Sequence, residues 1–304
     1  MARIRKCRIC DHVFNDGEEM LEIPCNGTNA NGGKQWVCAK HGEQFYYHDD
    51  RVKDIVSITK AKFEETNENI LIAPELEFNY YHYMPEINGI MMGFDQIHAY
   101  LSYLFGGVVT NDSTVSGELN VPPVRSLRGF RDRLGQAMQV VDMTGNNCGA
   151  HINVSIADWQ EDYVWDYDKI DNIFHHVAIS LSVHNAENAI KTVFGRYFGR
   201  YCEFASSEFI HGKWLNIRSN EHCLEFRLAH VESVEQYMRC LDLCKRWALR
   251  VNDCLKGDTT ITDTVKFMIK DLKKAAKCAL AVDNRAYIVG TDRTRNQRLV
   301  SKRG

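Results

Sequence analysis

Glu75-Leu76-Glu77 sets two carboxylates two residues apart inside Ile70 to Asn79 (ILIAPELEFN), an alternating stretch that reads as a strand. Alternate side chains of a strand share a face, so both carboxylates point the same way. Like charges on one face repel unless a cation or a base stands between them. Taken alone, a solvated strand face explains the pair. Ala150 to Ile156 (AHINVSI) puts His151 and Asn153 on one face, just after Gly149, which permits close approach. A lone His151 fits a hydrogen-bonded core histidine. Cys223 to Arg227 (CLEFR) puts Glu225 and Arg227 on one face, an arrangement a cross-strand salt bridge also explains. Glu118, within Ser116 to Val121 (SGELNV), adds a carboxylate or a turn-edge charge. Taken jointly, several acids, one His and one Arg on inner strand faces suit oxygen-rich magnesium sites that hold nucleotide phosphates. Arg227 would neutralise a transferring phosphoryl group.

A second constellation lies near the amino terminus. Cys7-Arg8-Ile9-Cys10 is followed by Cys38-Ala39-Lys40-His41, and a turn-rich loop, Gly27 to Gly33, lies between them. Two ligand pairs, each with two intervening residues, form tight knuckles that can close a tetrahedron around a structural zinc ion. Cys25 and His48 are possible substitutes for one ligand. Trp36 and Val37 suit the ribbon strand before the second knuckle. The remaining cysteines read blandly: Cys240 and Cys244 are one helical turn apart beside Leu241, Leu243 and Trp247, as core residues would be.

Other chemistries lack their signatures. There is no phosphate loop ending in Gly-Lys-Ser/Thr, no nucleophile elbow and no H-E-x-x-H pair. His175-His176 lies in an amphipathic helical stretch and reads as helix surface.

The elements that must position these groups follow from periodicity. Besides the strands above, Trp214 to Ile217 and Leu224 to Leu228 read as a hairpin across Ser219-Asn220-Glu221. Helical period marks 94–105, 125–143, one or two helices over 159–193, then 234–255 and 261–281. The basic end, Arg293 to Gly304, reads as a solvated, partly disordered tail, with an acidic partner or nucleic acid as a minor alternative. Strands separated by helix pairs indicate an α+β fold: a curved, mainly antiparallel sheet with helices packed on its outer face. The boundaries expected are a zinc-ribbon-like module over 1–52 and a catalytic domain over 60–304 that includes the tail.

The 304 residues, 44% hydrophobic and 25% charged, can bury a sizeable core. A net charge of −3 argues against a globally basic nucleic-acid binder. No apolar run approaches the ~20 residues that span a bilayer. Eleven cysteines, an odd number without a secretory signal, point to the reducing cytoplasm rather than a disulfide framework.

The order of segments resembles the glutamine synthetase-like carboxylate–amine ligases, and most of all the amidoligases found in phages and fungi. The resemblance runs from about Ile72 to Leu243. It rests on ELEF (75–78), DSTVSGEL (112–119), CGAHINV (148–154), RYFGRYC (196–202), WLNIR (214–218) and LEFRL (224–228). It implies a funnel-shaped antiparallel sheet that binds ATP, with magnesium held by Glu75, Glu77, Glu118, His151 and Glu225. Arg227 would contact the phosphoryl group or the carboxylate substrate. Arg196 and Arg200 would sit near phosphates or substrate. Asn153 stands where amidoligases usually carry a second His, and there it follows the synthetases instead. The implied reaction makes an acyl phosphate from ATP and a carboxylate, then an amide by amine attack. Asp112 is a candidate to take the amine proton. A guanidino- or carboxylate-kinase of the same fold is the first alternative. The second is an inactive sheet domain whose zinc ribbon docks on nucleic acid or protein. In the ligase reading the ribbon presents a substrate, a macromolecule among the candidates, or docks a partner.

Overall fold

The computed structural model describes residues 12–15, 18, 20–23, 35–38, 69–87, 90–110, 112, 114–124, 126–161, 163–183, 186–196 and 214–300. Cys7, Cys10, His41 and Arg200 lie outside these residues, as do Cys25 and His48. Of the amino-terminal segment expected as a ribbon, two antiparallel strands are described, β1 (Met20–Ile23) and β2 (Gln35–Cys38), with Cys38 closing the second.

The chain is α+β, with a seven-stranded antiparallel sheet and six helices among the described residues. After β3 (Ile70–Tyr80) come a short hairpin, β4 (Glu86–Ile87) and β5 (Ile90–Met91), and helix α1 (Phe94–Phe105). Then follow β6 (Val108–Thr110), β7 (Gly117–Asn120), α2 (Leu127–Ala137), β8 (Val141–Asp142) and β9 (Ala150–Ile156). Helices α3 (Tyr167–Val183) and α4 (Glu187–Phe194) lead to β10 (Leu215–Arg218) and β11 (Cys223–Phe226). The chain closes with α5 (Val234–Leu255) and α6 (Ile261–Val300). The spatial order is β10-β11-β9-β3-β7-β6, with β8 also paired to β3.

Strand alternation divides the sheet into two faces. Leu76, Phe78, Leu119, Ile152, Val154, Leu224 and Phe226 are buried on one side. They lie over α5, which packs against β9 and β3 and sets Trp247 beside Phe226 at 6.3 Å. Burying such large side chains stabilises by about 1.5–3 kcal/mol each relative to exposure. The opposite face carries the acids, the His and the amides.

Pro74 sits in a central strand, which needs explanation because Pro lacks an N–H. Its carbonyl accepts from Val121 N at 2.8 Å, and a residue's N–H and C=O point to the same neighbour. The missing donor therefore faces the end of the β3–β7 ladder, and no bond to β9 is lost.

Two expectations change and a third is narrowed. The helix expected over 125–143 stops at Ala137, and Met138 caps it by donating to Leu134 O. Val140 is buried, Val141 and Asp142 pair with β3, and Asp142 turns the chain by accepting from Thr144 N and Oγ1. The stretch 159–193 holds two helices preceded by a 3₁₀ turn, Ala157–Gln160. The last helix runs on to Val300 through most of the segment expected as a tail, which contains no proline to break it. Among the described residues no helix is long and apolar enough to cross a membrane.

Candidate functional site

Register brings the acids together. Glu75 pairs with His151 on β9 and with Asn120 on β7. Glu77 pairs with Glu118 on β7, and its N–H donates to Gly149 O just before β9. Glu225 pairs with Asn153 on one side and Asn216 on the other. Direct partners on adjacent strands point to the same face, so one polar surface carries all of them.

The side chains meet there. His151 Nδ1 stands 3.4 Å from Glu75 Oε2 and 3.6 Å from Glu225 Oε1, and Nε2 is 3.9 Å from Glu77 Oε1. Donor atoms of Glu75, His151 and Glu225 all lie within 4.8 Å of one another. That separation suits ligands sharing one divalent cation, whose bonds to oxygen or nitrogen are about 2.0–2.6 Å. Asn153 Nδ2 donates to Glu75 Oε1 at 2.7 Å, and Asn216 Nδ2 to Glu225 Oε2 at 2.8 Å. These amides fix carboxylate rotamers and leave the remaining lone pairs free to coordinate.

Two guanidinium groups border the acids. Arg227 Nη1 donates to Glu225 Oε1 at 2.5 Å. Arg218 reaches Glu221 at 2.9 Å and lies 3.9 Å from Glu75. Their side chains keep 23% and 25% exposure, so both remain accessible to an anion arriving from solvent.

Electrostatics registers the crowding. Burial and the neighbouring Glu75 charge push the Glu118 carboxyl up to about 7. At Glu75, burial also raises the value. The hydrogen bond and charge of His151, the Asn153 amide and Arg218 outweigh it and hold Glu75 below the usual range. Four carboxylates thus face two guanidiniums and a histidine. A divalent cation fits this donor set and would relieve the crowding of negative charge that raises Glu118.

Gly149 makes the approach possible. A Cβ there would lie 2.9 Å from His151 Nε2 and 3.0 Å from Glu77 Oε1. Its N–H donates to Glu77 Oε2 at 2.5 Å.

Of the residues singled out from sequence, Glu75, Glu77, Glu118, His151, Asn153, Glu225 and Arg227 share this face. Arg196 donates from Nη2 to Cys148 O at 2.7 Å. Asp112 accepts from Thr114 N and Oγ1, each at 2.6 Å, and the Thr114 hydroxyl helps to hold its carboxyl below the ordinary range. That makes Asp112 a turn-closing group and a weak base. Sequence reasoning gave no role to Asn216, Arg218 or Asn120. The signal was present: in Leu215–Arg218 (LNIR), alternation puts Asn216 and Arg218 on the face of Glu225.

No protein-family model and no curated protein matches the chain.

Proposed function

We propose that the chain is an ATP-dependent carboxylate–amine ligase of the glutamine synthetase-like fold. The observation that carries the proposal is the convergence of Glu75, His151 and Glu225 within 4.8 Å on a sheet face that also bears Glu77, Glu118, Arg218 and Arg227. Glu75, Glu77, Glu118, His151 and Glu225 would hold magnesium, which supplies charge neutralisation for nucleotide phosphates. A carboxylate acylates poorly because its leaving group would be oxide. Transfer of the γ-phosphoryl group gives an acyl phosphate with a good leaving group, and an amine then attacks to form the amide. Arg227 and Arg218 stand ready to stabilise the transferring phosphoryl group or to hold the carboxylate. Glu118, raised to about 7 in the metal-free protein, would be drawn to its ionised form by the bound cation and serve as a ligand.

The amino-terminal Cys7, Cys10, Cys38 and His41 would hold a structural zinc in a ribbon that presents a substrate or docks a partner. The β1–β2 hairpin ending at Cys38 supports that reading.

The test is ADP release against paired pools of carboxylates and amines, with mass detection of the condensed product. Release that requires both pools supports the ligase. Release with one acceptor and a stable phosphorylated product supports a kinase instead. No release under any pairing contradicts both.

A further inference from the structure

The peptide between Cys148 and Gly149 is held at both ends. Its carbonyl accepts from Arg196 Nη2 at 2.7 Å and from His230 Nδ1 at 2.8 Å. Its N–H donates to Glu77 Oε2 at 2.5 Å. In a trans peptide the C=O and N–H point in opposite directions, so Arg196 and His230 grip the side remote from the carboxylates. A cation on the carbonyl polarises the group and strengthens the bond its N–H donates. The carbonyl only accepts, so His230 carries its proton on Nδ1, and burial holds its pKa down and keeps the ring neutral.

The grip is built by the fold. Gly195, at φ +81°, ends α4 in the left-handed conformation, with its N–H on Lys191 O at 2.8 Å. Arg196 is the next residue. His230 N donates to Phe194 O at 2.8 Å, and Ala150 N donates to Ala229 O at 3.0 Å. The helix end, the segment after β11 and the start of β9 are therefore locked together around one carbonyl.

We propose that Arg196 and His230 are positioning residues for Glu77, acting through the Cys148–Gly149 peptide, and that they thereby set the divalent-cation affinity of the sheet-face cluster. The cation half of this proposal rests on the ligase reading. The peptide half does not.

The experiment compares wild type, Arg196→Ala, Arg196→Lys, His230→Gln and Glu77→Gln in the full chain. Mn²⁺ binding is measured without nucleotide by electron paramagnetic resonance, and the Gly149 amide proton is followed by NMR. The expected results are an affinity about tenfold weaker for Arg196→Ala, partial recovery in Arg196→Lys, and no further loss when Arg196→Ala is added to Glu77→Gln. The Gly149 amide proton should move upfield in Arg196→Ala and in Glu77→Gln alike. Three results would overturn the proposal: unchanged Mn²⁺ affinity with weakened MgATP binding; equal Mn²⁺ losses in the wild-type and Glu77→Gln backgrounds; or an unmoved Gly149 amide. If wild type binds no Mn²⁺, the cation reading fails and the amide shift alone decides the peptide relay. If Arg196→Ala does not fold, Arg196→Lys and His230→Gln carry the same comparisons.

Discussion

Glu75 on β3 and His151 on β9 are register partners whose polar atoms stand 3.4 Å apart, with Glu225 Oε1 from a third strand 3.6 Å from the same imidazole nitrogen. Three strands distant in sequence thus deliver one donor each to a single spot. Antiparallel pairing does this without strain, because register partners always share a face.

Gly149 tests how tightly that spot is built. An added Cβ would lie 2.9 Å from His151 Nε2, closer than real Cβ contacts come, and 3.0 Å from Glu77 Oε1, so these side chains would have to shift. Gly149→Ala should cost about 1–3 kcal/mol by overpacking and weaken Mn²⁺ binding more than tenfold. Chemical denaturation alongside Mn²⁺ titration checks both. A variant with unchanged affinity would show that the acids do not act as one set.

Glu118 gives a pH signature. Its carboxyl is raised from 4.5 to about 7, so the folded state holds that proton more tightly than the unfolded chain does. The contribution is fully present below pH 4.5 and is lost as pH rises through about 7. Glu118→Gln, which keeps the shape without the charge, should gain stability over the metal-free parent across that interval. The gain should reach on the order of 2 kcal/mol at its upper end. Urea denaturation of both proteins at stepped pH reads the difference. Millimolar magnesium should shrink it.

Much of this architecture was readable from residue order, for definite reasons. Alternation in ELEF and CLEFR fixed which acids share a face, because the strand period leaves no other choice. Ser233, whose hydroxyl accepts from Gln236 N at 3.2 Å, marks the start of α5 at the position where periodicity begins. Register was not readable: that Glu77 lies opposite Glu118, and Glu225 opposite Asn153, depends on long-range pairing that no local pattern encodes. The break after Ala137 was hidden because Val140 and Val141 continue an apolar pattern that a helix and a short strand share. The backward orientation of Arg196 was equally hidden, since its direction depends on a left-handed residue, Gly195.

The scaffold should be separable from the site. Trp247 is fully buried, with ring centroids 6.0 Å from Phe194, 6.5 Å from Trp214 and 6.3 Å from Phe226. Trp247→Phe should destabilise by about 1–3 kcal/mol, and Trp247→Ala by about 3–5 kcal/mol. At temperatures where the Phe variant stays folded, its Mn²⁺ affinity should match wild type. Thermal melts and ion titration measure the two quantities independently.

The ribbon proposal predicts about one zinc per chain in protein purified without chelator. Cys38→Ser should lose that zinc and leave Mn²⁺ binding at the sheet face intact. Elemental analysis decides it, and zinc content near zero in wild type would remove the ribbon site.

The most direct measurement is a Mn²⁺ titration of wild type, Glu75→Gln and Glu225→Gln under conditions where circular dichroism shows all three folded. The account predicts saturable binding in wild type and affinity at least about tenfold weaker in each variant, because each removes a charged donor from one shared ion. Equal affinities in all three proteins, or no saturable binding in wild type, would contradict it.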